Sequence, residues 1–480
     1  MIPSTTPGAR QSTHPLRSLG ESRILGGLTH SRAARTTPRH FAAYSEARMT
    51  KTPLGRLSVM MFLQYAVWGA WLPLAARYLS AAPADGGLGF TGGEIGMILG
   101  LAGSIGAIAS PFIAGQVADR YFSAERFLAF LLVVGGVIKW VTANQTGYLP
   151  WLWLSIAYSV VYMPTLALSN SLAFANLDDP EAQFPKVRVW GTIGWIAVSW
   201  VFPMIYLQTD LRFSLIPPFL TGPELPGVTA RLADSLRFSA VISWAYAAYC
   251  LSLPHTPPKK EGVEPLAVTK AFGLLRQRPF AVLVAVSLPI SVIHQVYFLQ
   301  TSPFFSHLGL LDSQIGPAMT LGQFSEILVM AFLGWFLARF GFRTVMTVGA
   351  LAYFVRYLIW SVPTLPVSVL VGSQVLHGVC YACFFAAAYI YTDRVAPIDV
   401  RHSAQTVFGI LILGGGPVLG GALSGWLQAR YTLADGLVDF GSLWRVVAVI
   451  GLLSTVVFVT LFRDGPKREA GGAVGTTTRG

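Results

Sequence analysis

A chain of 480 residues that is 53% hydrophobic and only 12% charged is far from a soluble domain, in which roughly a quarter of residues carry charge. Thirty Phe and 13 Trp fit a polytopic membrane protein, and at roughly 20 residues per crossing the apolar part holds about twelve helices. The net charge of +12 is that of basic loops gathered on one side of a bilayer; no nucleic-acid partner is expected, and three scattered cysteines give no disulfide framework.

Residues 1–54 are rich in Arg, Ser, Thr and Pro and contain no apolar stretch, so they read as a disordered basic arm and not a secretory signal. Met49, just before the first span, offers an alternative start that would leave the arm untranslated. A first bundle, 55–253, holds spans at about 57–79, 94–117, 124–145, 150–176, 187–206 and 236–253. Between the second and third lies the charged turn Gly115-Gln-Val-Ala-Asp119-Arg120. A Pro-rich loop at 207–235 is too broken to cross. The stretch 254–279, with Pro257-Pro258-Lys259-Lys260, is the linker.

A second bundle, 280–463, repeats the pattern with spans at about 280–304, 315–338, 344–361, 366–392, 403–428 and 443–462, followed by a tail, 464–480. Gly334-x-x-x-Ala338-Arg339 stands 219 residues after the first charged turn, and Tyr162 and Tyr381 have the same separation. The expected fold is therefore all-α, twelve transmembrane helices in two pseudo-symmetric six-helix bundles. Fifteen Lys and Arg fall on the linker side against seven on the other, which places both termini in the cytoplasm. Cys380-Tyr-Ala-Cys383 has redox spacing without partner ligands and reads as helix packing. Gly414-Gly-Gly-Pro417 lacks the Lys-Ser/Thr of a phosphate loop and reads as a kinked helix.

Chemistry is sought among polar groups deep in the spans, which are expensive in lipid. Glu326 is the carboxylate farthest inside a span, and Gln323 shares its helix face. A lone carboxylate in a low-dielectric site suits a proton carrier. Arg188, Thr192 and Trp195 lie on one face at i, i+4 and i+7; an arginine so close to a helix start is also free to snorkel. Arg356, in the middle of span nine, is expected to answer a carboxylate or helix carbonyls. His294 and Gln295 point in different directions, and Gln295 is favoured for the cavity. No metal-ligand cluster or serine–histidine arrangement suggests an enzyme.

Several stretches together resemble the nucleoside:proton symporters of the major facilitator superfamily. They are Phe62-Leu-Gln64-Tyr-Ala-Val-Trp68, Tyr162-Met-Pro164, Phe184-Pro-x-x-Arg188-x-Trp190-Gly-Thr192-Ile-Gly194, Gln323-x-Ser325-Glu326 and Ser403-Ala-Gln405. The resemblance implies proton-coupled uptake of a nucleoside by a monomer in a bacterial inner membrane, driven by the proton gradient without a cofactor. It implies a site made of Gln64, Arg188, Thr192, Trp195, Gln295, Gln323, Glu326 and Tyr381, with Trp195 and Tyr381 against the base and Glu326 carrying the proton. Asp119, Arg120 and Arg339 would serve the conformational change. Two positions depart from the family pattern: Ala382 replaces an aspartate and Phe298 an asparagine. Proton coupling then rests on Glu326 alone, and the same fold moving a sugar or modified base is the alternative.

Overall fold

The computed structural model describes residues 53–113, 122–213, 220–257, 273–396 and 401–463. The basic arm, the turn bearing Asp119 and Arg120, most of the linker and the tail lie outside these residues.

Span one is two helices, α1 (Leu54–Gly69) and α2 (Leu72–Ser80). Span two opens as α3 (Gly92–Gly96), where Thr91 and Glu94 form a reciprocal capping box that satisfies otherwise orphaned amides. It continues through a π segment into α4 (Ala102–Phe112). Next come α5 (Ala124–Thr142), α6 (Tyr148–Ala175) and α7 (Pro180–Val201), the last extended by a π segment. The Pro-rich loop holds a two-stranded hairpin, β1 (Arg212–Phe213) with β2 (Leu220–Thr221), and a short helix, α8 (Val228–Arg231); α9 (Asp234–Cys250) closes the first half.

The second half runs α10 (Arg278–His307) and α11 (Asp312–Trp360). At 49 residues, α11 is two crossings joined at Gly341, whose φ of 76° suits a residue without Cβ. Span ten is α12 (Val367–Gly372), α13 (Val375–Cys380), a π segment at Tyr381–Ala386 and α14 (Ala387–Val395). Span eleven is α15 (Arg401–Gly409), a π segment at Ile410–Gly415 and α16 (Gly416–Tyr431), so the regular helix is interrupted at the glycine run. The last is α17 (Phe440–Leu461).

Nine stretches among the described residues are long and apolar enough to span a membrane. Counting α11 twice and adding α5 and α9, which pack against each other between them, gives twelve. The halves repeat one packing scheme: span one on five and seven on eleven, two on four and eight on ten, three on six and nine on twelve. Glycines permit several of these approaches. A Cβ on Gly194 would strike the Phe62 backbone, and one on Gly378 the backbone at Ser325 and Glu326.

Lys139 lies in the last turn of α5. It is buried, its ammonium 3.1 Å from the centroid of Trp71 and 4.0 Å from that of Tyr158. Cys250, Cys380 and Cys383 are buried and free, in keeping with a packing role.

On the face away from the linker, the halves are tied together. Arg77 Nε lies 2.8 Å from Asp312 Oδ1, and Thr229 donates to Asp312 Oδ2 at 3.0 Å. The Ser313 amide donates to Glu224 at 2.7 Å, and Trp200 Nε1 to Thr320 Oγ1 at 2.6 Å.

Candidate functional site

A cavity of about 130 Å³ lies between the halves, lined by Tyr65, Trp68, Arg188, Thr192, Trp195, His294, Phe298, Gln323, Glu326, His377 and Tyr381. Spans one and five supply one wall, and spans seven, eight and ten the other.

The first wall follows from helix periodicity. Arg188, Thr192 and Trp195 lie on one stripe of α7, and Gly191 and Gly194 bring that helix against α1. Its guanidinium does not snorkel: it lies 4.1 Å from the centroid of the Tyr65 ring, inside the cavity, where a cation is held by the ring face. The two indoles of this segment part company. Trp195 meets Trp68 edge to face at 5.9 Å, while Trp190 is exposed on the outside of the bundle.

On the opposite wall, Gln323 and Glu326 are one turn apart on α11. The close approach of Gly378 fixes the backbone that carries Glu326. Arg188 and Glu326 line opposite walls of this one cavity. Gln323 Oε1 is buried without a hydrogen-bond partner among the described residues, an acceptor for which a ligand donor is a natural match.

Two expected members stand elsewhere. Gln64 is fully buried; its side-chain amide donates to Thr165 Oγ1 at 2.8 Å, and its backbone carbonyl accepts from the Tyr162 hydroxyl at 2.5 Å. Gln295 donates to the Leu99 carbonyl at 3.2 Å. Each glutamine fastens one helix to another, and its neighbour, Tyr65 or His294, lines the cavity. Arg339 is exposed at the turn between spans eight and nine; Asp119 and Arg120 lie outside the described residues.

Among the described residues, Arg356 answers neither a carboxylate nor helix carbonyls. Fully buried, it reaches His377 Nδ1 at 3.0 Å and Gln374 Oε1 at 2.8 Å, over the faces of Tyr297 and Trp360. Phe298 lines the cavity and meets His294 edge to face at 5.2 Å, whereas Ala382 is buried. Among the described residues, no cluster of His, Cys, Asp and Glu could hold a metal ion.

Residues 51–467 match the family model described as Nucleoside H+ symporter. YegT of Escherichia coli (strain K12), provisionally named a nucleoside transporter, is 32% identical over 85% of this chain and 93% of its own length. The xanthosine permease of the same organism is 28% identical over 85% of this chain and 95% of its own. A crystal structure of a point mutant of the nucleoside transporter NupG superposes with a TM-score of 0.75 at 25% identity, covering 85% of this chain and all of that one. The D-xylose-proton symporter, at 13% identity and a TM-score of 0.65, shares the same major facilitator fold. These relatives are permeases rather than enzymes, and the chain belongs to the nucleoside H+ symporter family.

Proposed function

We propose that this protein imports nucleosides together with protons by alternating access, and that the cavity between its halves is the substrate site. One observation carries the reading: Arg188, Thr192 and Trp195 of one half face Gln323 and Glu326 of the other across a single cavity. Such a midplane site between pseudo-symmetric bundles is where transporters of this build hold their cargo.

Trp195 and Tyr381 offer ring faces to a planar base. Thr192 and the unpaired Gln323 Oε1 suit ribose or base polar groups. Glu326 exchanges the proton, and Arg188 opposite it competes with that proton for the carboxylate: protonation frees the guanidinium to turn to the ligand. At about 130 Å³ the cavity is smaller than the roughly 300–1,000 Å³ of a cleft that seats a drug-sized molecule. Substrate therefore enters by parting of the halves. The basic linker face is cytoplasmic in this reading, so the Arg77–Asp312 ties close the outer side. The apolar Phe298 narrows the polar recognition available on span seven, which leaves an aromatic base a better fit than a sugar, with its hydroxyls on every side.

The test is uptake of labelled nucleosides, nucleobases and sugars by a bacterial strain lacking its own nucleoside transporters. Saturable nucleoside uptake competed by other nucleosides and not by sugars is expected; uptake of sugars alone sinks the reading.

A further inference from the structure

The cavity contains a polar device that the roles above leave unused. His377, on α13, lines it and is held from behind by Arg356, whose Nη1 is 3.0 Å from His377 Nδ1. A guanidinium has no acceptor and stays protonated. The Nδ1 facing it must therefore present a lone pair. That fixes the ring as the neutral tautomer with its proton on Nε2. Among the described residues no group accepts that Nε2–H.

The ring is not free to turn. On span eight, a Cβ on Gly322 would lie 2.8 Å from the His377 Cβ. His294 stacks on the imidazole at 5.4 Å with 16° between the planes, and Tyr297 covers it at 4.9 Å. Arg356 is itself fixed by Gln374 Oε1 at 2.8 Å. A donor so immobilised loses little freedom on binding and discriminates sharply, because a ligand lacking the matching acceptor leaves it unpaired.

Resting on the nucleoside reading, we propose that His377 is a specificity-determining residue that donates its Nε2–H to an acceptor on the base, a ring nitrogen or a carbonyl oxygen, with Arg356 as its positioning residue. The substrate then lies between a donor on span ten and the acceptors Gln323 and Glu326 on span eight. His377 supplies polar recognition on a wall where Phe298 offers none.

The test crosses ligand with protein. Competition constants are measured in the transporter-deficient strain for inosine against 7-deazainosine, and for uridine against the 2-pyrimidinone riboside, which lacks the 4-carbonyl. The wild type should disfavour at least one acceptor-deleted analogue by about tenfold. His377→Gln keeps both an acceptor for Arg356 and an N–H, and should retain that ratio. His377→Phe removes the donor, and His377→Glu keeps an acceptor for Arg356 without a donor; in either, the ratio should fall to about twofold or less. Size-exclusion profiles show which variants fold, and two donor-free variants guard against loss of one. The proposal is overturned if a folded donor-free variant keeps the wild-type ratio, or if the wild type transports nucleosides without discriminating either pair. Absence of any nucleoside transport by the wild type would instead remove the underlying functional reading, and this proposal with it.

Discussion

At the scale of single residues, polar groups of one type part by whether they line the cavity. Gln323 presents its acceptor at the cavity, whereas Gln64 lies off the cavity, its side-chain amide tied to Thr165. Gln323→Ala should therefore raise the KM for nucleoside several-fold with little change in thermal stability. Gln64→Ala should lower the melting temperature, consistent with loss of a buried hydrogen bond worth about 1 kcal/mol, while KM stays within about twofold. Parallel uptake kinetics and thermal unfolding of the two purified variants check both. Arg188→Lys keeps the charge and loses the planar stacking on Tyr65, so it should weaken uptake roughly tenfold.

The residue scale is also where the sequence is least legible. Arg188, Thr192 and Trp195 can be placed together from spacing alone because they share one helix. Across helices the phase of each span decides, and spacing carries no information on it. Span seven contains Pro289 and Pro303, and its rotation puts His294 rather than Gln295 at the cavity. On span one the same choice falls to Tyr65 over Gln64. Ranking by polarity picks the glutamine both times, yet in a bilayer a glutamine is often recruited to bind a neighbouring helix. An aromatic beside a deep glutamine is the signal that would have found Tyr65 and Trp68.

Elements were far more legible. Apolar run length and broken loops give the order of twelve spans and the linker, since lipid demands about 20 apolar residues per crossing whatever the fold. The interruptions were not legible in detail: π segments at Met97–Leu101, Phe202–Tyr206, Tyr381–Ala386 and Ile410–Gly415 leave no composition signature beyond glycine and proline. Helix packing makes its own prediction. Gly378 lies against the backbone of Glu326, so Gly378→Ala must push span ten from span eight. Transport should fall at least tenfold while Gly409→Ala, where only the Tyr389 hydroxyl is within 4 Å, leaves it near wild type. Uptake normalised to protein in the membrane makes the comparison.

For the whole molecule, the ties at Arg77, Asp312, Thr229 and Glu224 hold the halves together on the face away from the linker. Breaking a largely buried ion pair leaves its partner uncompensated, so Arg77→Ala should shift the population toward states open on that face. The three native cysteines are buried, which leaves a quiet background. A cysteine placed at Thr320, beside Trp200, should react with an impermeant thiol reagent applied from outside several-fold faster in Arg77→Ala than in the otherwise native protein. Equal rates would mean that these contacts do not close the outer side.

The central claim joins all three scales: Glu326, seated by Gly378 and facing Arg188, couples the proton to the movement of the halves. It is tested most directly in proteoliposomes with labelled uridine or inosine and an imposed pH gradient, inside alkaline. Wild-type protein should accumulate nucleoside above the external concentration only while the gradient lasts. Glu326→Gln, which holds the neutral form permanently, should exchange nucleoside across the membrane without accumulating it. Gradient-driven accumulation by Glu326→Gln at the wild-type level would contradict the account.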